Sequence, residues 1–199
     1  QLKKIEDDAV VIHIGCGMDS RVLRVGTENH KWYDVDFLEV IQERRRYFTE
    51  SLDYQMIGVD VTKYGWIEQI GEIQNKTAIV LMEGVSMYLS EEELDDLLAS
   101  LKNYFEEAAL LMDCYTSWAA KMSKYKNPIN DVGVTEVYGL DDAKVLEDNT
   151  GMTYVQEHNM TPSGLIDELD GPEKLIFKKL YGGNISKKMY RLYEYKKEK

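Results

Sequence analysis

The sequence predicts an α/β fold, a doubly wound and mostly parallel sheet of about seven strands with helices on both faces. Three observations carry that reading. Short apolar runs alternate with stretches of helical periodicity as far as Cys114, which implies right-handed crossovers and parallel pairing. The first apolar run, Val10-Val11-Ile12-His13-Ile14, enters a Gly15-Cys16-Gly17 turn before a helix. An acidic residue, Asp36, then closes the second run, Lys31 to Asp36. That is the strand–turn–helix–strand arrangement in which backbone bends closely around a ligand at the carboxyl ends of the strands.

The elements follow in order. The first strand covers about Ala9 to Ile14, and Asp19 or Ser20 caps a helix that Gly26 ends near Val25. After the second strand, Phe37, Val40, Ile41, Arg44 and Phe48 recur at helical spacing, so a helix is expected over Phe37 to Glu50. A third strand is expected at Tyr54 to Val61, with Asp60 near its end, and Thr62 should cap a short helix through Ile70. Thr77 to Met82 is nearly all apolar, as for a strand buried on both faces. Ser90 and Glu93 have the spacing of a capping box. They open a helix to about Glu106 that carries Leu94, Leu97, Leu98, Leu101 and Phe105 on one face. The fifth strand runs from Ala108 to Cys114.

Beyond it the alternation loosens. Residues 116–139 read as a helix and a long loop, and long loops in compact domains often serve as lids. Helices are expected over Leu140 to Asn149, stopped by Gly151, and over Pro172 to Leu180, ended by Tyr181-Gly182-Gly183. Strands are expected over Met152 to Asn159 and Lys188 to Tyr195, forming an antiparallel, hairpin-like end. The closing tyrosines, at period two, read as packing. Residues 1–199 form a single domain in this reading.

Composition narrows the function. The chain has 199 residues, 44% of them hydrophobic, with 36 acidic against 24 basic residues and a formal net charge of -12. That balance disfavours nucleic acid and anionic membranes as partners, since both require a basic patch. No apolar stretch approaches the roughly 18 residues of a membrane span, and no signal-peptide pattern is seen. Cys16 and Cys114 are too few for a disulfide scaffold, so they are read as reduced and the protein as cytoplasmic. The three histidines are scattered and give no metal-ligand spacing.

The site chemistry starts from the glycine turn. Gly15 permits the tight turn, and Gly17 leaves no side chain between backbone and ligand. Asp36 stands where a carboxylate binds a ribose diol. Ser20 replaces the third glycine of the dinucleotide fingerprint, which favours a shorter ligand without pyrophosphate. S-adenosylmethionine fits, having a ribose, an adenine and an amino-acid tail. Glu83 ends an apolar strand in an expected buried position, where a carboxylate needs a partner such as a ligand ammonium. Tyr88 either packs under the following helix or lines the pocket. Asp113 either meets an acceptor or caps the next helix. Asp19 is a helix cap with Arg21 as its surface partner, or lies near the ligand. His13 alternates into a sheet face as a satisfied core histidine.

Three stretches together resemble the leucine carboxyl methyltransferase family, whose bacterial branch includes O-methyltransferases of polyketide synthesis. They are Gly15-Cys16-Gly17-Met18-Asp19-Ser20-Arg21, Trp32-Tyr33-Asp34-Val35-Asp36-Phe37 and Glu83-Gly84-Val85-Ser86-Met87-Tyr88-Leu89. The resemblance implies a class I methyltransferase, a Rossmann-like sheet with its last strand inserted antiparallel, and S-adenosylmethionine as cofactor. It places Gly15 and Gly17 along the methionine part, Asp36 on the ribose hydroxyls, Asp60 with the backbone of Val61 at the adenine amino group, and Glu83 at the methionyl ammonium. Leu38 stands where the family often has proline. Only about eight residues precede the first strand, so the family's N-terminal cap is expected to be missing.

The expected reaction is methyl transfer to a small-molecule carboxylate or phenol, and a homodimer is left open. A carboxylate needs no base, whereas a phenol does. Tyr88, Asp113 and Tyr115 are the residues expected at the acceptor, in a pocket between the loop after Glu83 and residues 116–139; His158 is a further candidate base. Two alternatives stand beside this reading. One is an NAD(P)-dependent oxidoreductase, and the other a catalytically silent cofactor-binding protein of the same fold.

Overall fold

The first strand, β1 (Val10–Ile14), is buried at every residue, as its unbroken apolar run requires of a strand covered on both faces. The structure is a computed structural model that describes residues 9–27, 30–123, 136–159, 163–180 and 188–198. Beside β1 lie β2 (Lys31–Asp36), β3 (Tyr54–Gly58), β4 (Thr77–Met82), β5 (Glu107–Tyr115), β6 (Thr153–His158) and β7 (Tyr190–Lys197). They form one sheet in the order β3-β2-β1-β4-β5-β7-β6. The first five strands pair in parallel, with Ile14 level with Val35 on one side and Met82 on the other. β7 is antiparallel to both β5 and β6. The doubly wound, mostly parallel seven-stranded sheet and its antiparallel end are as the sequence predicts.

The strand order reverses between β1 and β4, so a crevice opens there at the carboxyl ends. One face of the sheet carries the larger core, with Ile12, Val35, Val80, Leu98, Leu110 and Tyr195 all fully buried. The opposite face packs Val11, Trp32, Ile41 and Met56 under α1 (Arg21–Val25) and α2 (Leu38–Arg44). The long helix α3 (Glu91–Tyr104) opens with the expected capping box between Ser90 and Glu93 and buries Leu94, Leu97, Leu98 and Leu101. Further along come α4 (Ser117–Ser123), α5 (Ala143–Thr150), α6 (Ser163–Asp167) and α7 (Gly171–Leu180). Asp142 caps α5 and Gly151 ends it in the left-handed conformation. Tyr193 and Tyr195 are buried and pack edge-on against Tyr154, in line with their reading as packing residues.

Several boundaries differ from expectation. The helix after Asp36 stops at Arg44 instead of Glu50, because Arg45 and Glu50 are used to dock β3. Arg45 Nη2 donates to the Met56 carbonyl at 2.8 Å, and the Met56 N–H donates to Glu50 at 2.7 Å. The helix expected after Thr62 is replaced by a turn and a short 3-10 segment, Ile67–Ile70. The cause is local: Asp60 Oδ1 accepts from both the N–H and the hydroxyl of Thr62 at 3.0 and 2.7 Å, a side-chain turn that competes with helix. Strand β3 accordingly ends at Gly58, three residues early. Helix α6 has no counterpart in the expectation. The glycines expected to end α7, residues 1–8 and the central part of 116–139 lie outside the described residues.

Candidate functional site

Hydrogen bonds tie the turn after β1 to the end of β2. The Gly15 N–H donates to the Val35 carbonyl at 2.8 Å. The Gly17 N–H donates to Asp36 Oδ2 at 2.8 Å, and the Phe37 N–H to Asp36 Oδ1 at 2.8 Å. Each Asp36 oxygen thus keeps a lone pair free for a further donor. Gly15 and Gly17 both have positive φ, 67° and 48°, but they serve differently. A Cβ on Gly15 would lie 2.1 Å from Val85 Cγ2, whereas one on Gly17 would meet nothing within 4 Å. Gly15 therefore lets the loop after β4 close on the turn, and Gly17 borders open space.

A cleft of about 500 Å³ lies at these strand ends, and Gly15, Asp36, Asp60, Val61 and Tyr88 all line it, with Phe37, Val85 and Glu93 among the others. Five of the nine residues expected at the site are brought together here. Asp60 is partly buried; burial raises its carboxyl, but the Thr62 hydroxyl and amide and the charge of Lys63 outweigh this and hold it below its ordinary range. The cleft presents the carboxylates of Asp36 and Asp60, with Glu93 on its wall and Phe37, Val59, Val85 and Leu89 as its apolar lining. That set of acceptors fits a nucleoside with a vicinal diol.

Glu83 is not buried as expected. Its side chain is 61% exposed and pairs closely with Arg21 Nη2. The strand ends at Met82, so the next residue emerges at the carboxyl edge of the sheet. Asp113, by contrast, is 1% exposed. Both its oxygens accept from the Gly84 N–H, at 2.8 and 2.9 Å, and Oδ2 also accepts a close bond from the Tyr190 hydroxyl. Burial pushes its carboxyl up to about 6, with the nearby Glu83 adding to it and the Gly84 amide opposing it. Tyr115 stacks edge-on with Tyr190 at 5.7 Å, beside a small apolar cluster of Met87, Ala120 and Val137. The Tyr88 hydroxyl is shifted upward by burial and by its neighbours Tyr115 and Asp113. His158 sits at the end of edge strand β6, two strands from β5, with Nε2 2.6 Å from Glu194 Oε2. It is not among the residues lining the cleft.

A second cavity, of about 360 Å³, adjoins the first across Leu89. Ser86, Leu94, Cys114, Ser117, Tyr138 and Leu140 are among its walls. It lies between the loop after Glu83 and the two ends of 116–139, where an acceptor pocket was expected, although Tyr88, Asp113 and Tyr115 do not line it.

The sequence reading missed what supports the glycine turn from below. Asp34 and Arg44 are both fully buried and pair at 2.5 Å. Arg44 also donates to the carbonyls of Gly17 and Asp19 at 2.9 and 2.8 Å. Asp34 collects three further partners: Trp32 Nε1 at 2.8 Å, the Tyr54 hydroxyl at 2.7 Å and His13 Nδ1 at 3.2 Å. Burial raises the Asp34 carboxyl, but these bonds and the Arg44 charge overcome it and hold it below its ordinary value. His13 is thus a satisfied core histidine, as read. One signal was available. An arginine on the inward stripe of a helix requires a buried acid, and Asp34 points inward from the preceding strand.

A doubly wound sheet with an antiparallel last strand, a glycine turn and an acid at the next strand end defines the Rossmann-like methyltransferase fold. A provisionally assigned methyltransferase from Bacillus halodurans C-125 superposes with a TM-score of 0.64 at 8% identity, over 100% of this chain and 96% of that one. The magnesium protoporphyrin IX methyltransferase of Synechocystis PCC 6803 does so with a TM-score of 0.54 at 14% identity, over 94% and 73%. The leucine carboxyl methyltransferase family matches residues 2–102, half of the chain, and the chain belongs to that family.

Among curated relatives, the tetracenomycin polyketide synthesis O-methyltransferase TcmP of Streptomyces glaucescens is 29% identical, over 86% of this chain and 64% of the relative. The S-adenosyl-L-methionine-dependent methyltransferase dpfgK of Gibberella zeae is 28% identical, over 77% and 56%. The chain therefore spans less than two thirds of the length of these relatives. No helix among the described residues is long and apolar enough to cross a membrane.

Proposed function

We propose that the chain is an S-adenosylmethionine-dependent O-methyltransferase domain acting on a small-molecule carboxylate or phenol. The observation that carries this is the cleft at the β1/β4 switch point, where Gly15, Asp36, Asp60 and Val61 meet. Family membership supports it, as do relatives described as S-adenosylmethionine-dependent and as an O-methyltransferase of polyketide synthesis.

The residues have separate tasks. Gly17 leaves the backbone open to the ligand. The free lone pairs of Asp36 accept the two ribose hydroxyls. Asp60 and the backbone of Val61 receive the adenine amino group, and Glu83 faces the methionyl ammonium. S-adenosylmethionine, when bound, supplies a methyl group already activated by its sulfonium. The chain's remaining contribution is to align the acceptor oxygen in line with the sulfur and to exclude water. Tyr88, on the wall of the cleft, stands next to Leu89 at the boundary with the second cavity, while Tyr115 packs behind it against Tyr190. The Leu89 cavity is the acceptor's place. Asp113 acts there mainly by holding the Glu83–Gly84 turn, because its oxygens are engaged and buried.

That engagement favours a carboxylate acceptor, which is already ionised and asks for no base. The net charge of -12 disfavours nucleic acid. Two experiments test the reading. Calorimetric titration should show S-adenosylhomocysteine binding that NAD does not match; Asp36→Ala should weaken it at least about tenfold, since a hydrogen bond to a charged group contributes roughly 1.5–3 kcal/mol. Transfer of a radiolabelled methyl group to metabolite extracts should yield product that releases methanol in mild base. Base-stable product would overturn the carboxylate preference. Label in RNA or DNA would overturn the small-molecule acceptor.

A further inference from the structure

Beyond the Leu89 cavity, at the same carboxyl edge of the sheet, lies a third cavity of about 470 Å³ lined by Thr116, Trp118, Asp141, Lys188 and Arg191. It shares Asp141 with the second cavity, and its Thr116 precedes Ser117 of that cavity's wall. Strand pairing builds it. Arg191, at the start of β7, lies opposite Cys114 near the end of β5. The Thr116 hydroxyl and N–H donate to the carbonyls of Lys188 and Met189 at 2.7 and 3.1 Å. Trp118, in the first turn of α4, is 55% exposed.

Arg191 and Lys188 place two cations here in an acidic chain, and at physiological ionic strength the field of the net charge of -12 is screened within about 8 Å. The guanidinium is only partly engaged. Its partners are Glu157, with Oε2 3.3 Å from Nη1, and the Tyr193 hydroxyl. Asp141 is taken by the Ser117 N–H at 2.9 Å; that bond, with the charges of Arg191 and Lys121, holds its carboxyl below the ordinary range. The Arg191 Nε–H is buried and meets no acceptor among the described residues, in a group that carries five donors. A guanidinium fork takes a carboxylate or a similar anion through two parallel bonds. The indole of Trp118, on the same cavity, offers a flat apolar face for the body of a ligand.

We propose that this cavity binds a second, anionic group of the methyl acceptor, with Arg191 and Lys188 on the charge and Trp118 against the adjoining part of the molecule. The reacting oxygen belongs on the β4 side, beside the cofactor cleft, and β7 lies two strands away from β4. At about 4.8 Å per strand, that separates the two ends of the acceptor by roughly 10 Å. The acceptor is therefore an elongated molecule with a carboxylate or comparable anion at the end remote from the methylated oxygen, and its methylated product keeps a negative charge. The inference rests on the O-methyltransferase reading above and names the class of its acceptor.

Two measurements test it. The first uses benzoate as a probe of the cavity and benzamide as its neutral counterpart. Of the three tryptophans, Trp32 and Trp66 are buried and Trp118 is exposed. Tryptophan emission should therefore respond to benzoate and not to benzamide, and Trp118→Phe should abolish the response. Arg191→Gln should weaken benzoate about tenfold or more, as losing a charge-assisted bond implies, and change S-adenosylhomocysteine affinity less than about twofold. Lys188→Gln, at an exposed position, should weaken benzoate severalfold, and it carries the readout if Arg191→Gln does not fold. The second measurement transfers a radiolabelled methyl group to metabolite extracts and passes the product over an anion exchanger at neutral pH, where it should be retained. No response to benzoate, an equal response to benzamide, unchanged benzoate binding in the charge variants, or a labelled product that passes through uncharged would each overturn the inference. Wild type that binds benzoate at Trp118 but transfers no label to any small molecule would overturn the O-methyltransferase reading, and the acceptor assignment with it.

Discussion

Replacing Arg44 by methionine tests whether the buried pair beneath the glycine turn holds the site. The change keeps much of the side chain's volume and removes its charge. Asp34, with no exposed surface, then keeps three partners, from His13, Trp32 and Tyr54, and loses its cation. The carbonyls of Gly17 and Asp19 lose their donors. Breaking one side of a buried ion pair costs about 3–5 kcal/mol. For a chain of this size each kcal/mol corresponds to about 2–4 °C, so the melting temperature should fall by roughly 6–20 °C. Urea denaturation and thermal melts measure both quantities. The double variant Asp34→Asn with Arg44→Met should be more stable than the sum of the single effects by about 0.5–3 kcal/mol, the range for contacting groups. An Arg44→Met protein within about 1 kcal/mol of wild type would refute the reasoning, because it would mean that the desolvation of Arg44 already cancels the attraction it gains.

Three further outcomes are expected. Gly15→Ala should lose nucleoside binding in calorimetry, since the new methyl would lie 2.1 Å from Val85 Cγ2 at a positive φ and force the loop after β4 away from the turn; unchanged affinity would sink this. Leu98→Ala, at a position with no exposed surface in α3, should cost about 2–5 kcal/mol in urea unfolding, as for other buried large-to-small changes. Asp113 has its carboxyl raised from 3.8 to about 6, so the folded state holds its proton more tightly than the unfolded chain. Its contribution to stability is full below about pH 4 and falls as pH rises to about 6, by up to about 3 kcal/mol at 1.36 kcal/mol per pH unit. Asp113→Asn should lack that slope in denaturant titrations across this range, and a slope equal to that of wild type would exclude the assignment.

What was legible in the sequence depended on periodicity and on local turn chemistry. β1 and β4 fall within a residue of their expected ends because strands buried on both faces are continuous apolar runs. Ser90 with Glu93, and Gly151, mark helix ends through contacts made within a few residues. Asp36 was legible because its spacing from the glycine turn is fixed by one crossover. Glu83 was misjudged because an apolar strand says nothing of where the sheet's edge exposes the chain. The Arg44 network was missed because its partners lie 10 to 27 residues away. At the level of pattern, a charged residue on an apolar stripe looks like one more inward position.

Two buried carboxylates thus support the two loops of the site, and their environments push them in opposite directions. Asp34 has a guanidinium at 2.5 Å and three further donors, which hold its carboxyl below its ordinary value against burial and keep the glycine turn anchored. Asp113 has one backbone amide and one tyrosine hydroxyl, and burial, with Glu83 nearby as a like charge, pushes its carboxyl up to about 6. The turn it holds, Glu83–Gly84, carries the carboxylate proposed to meet the ligand ammonium. The loop anchored through Arg44 and Asp34 is the glycine turn, and the loop held by Asp113 is the one that carries Glu83.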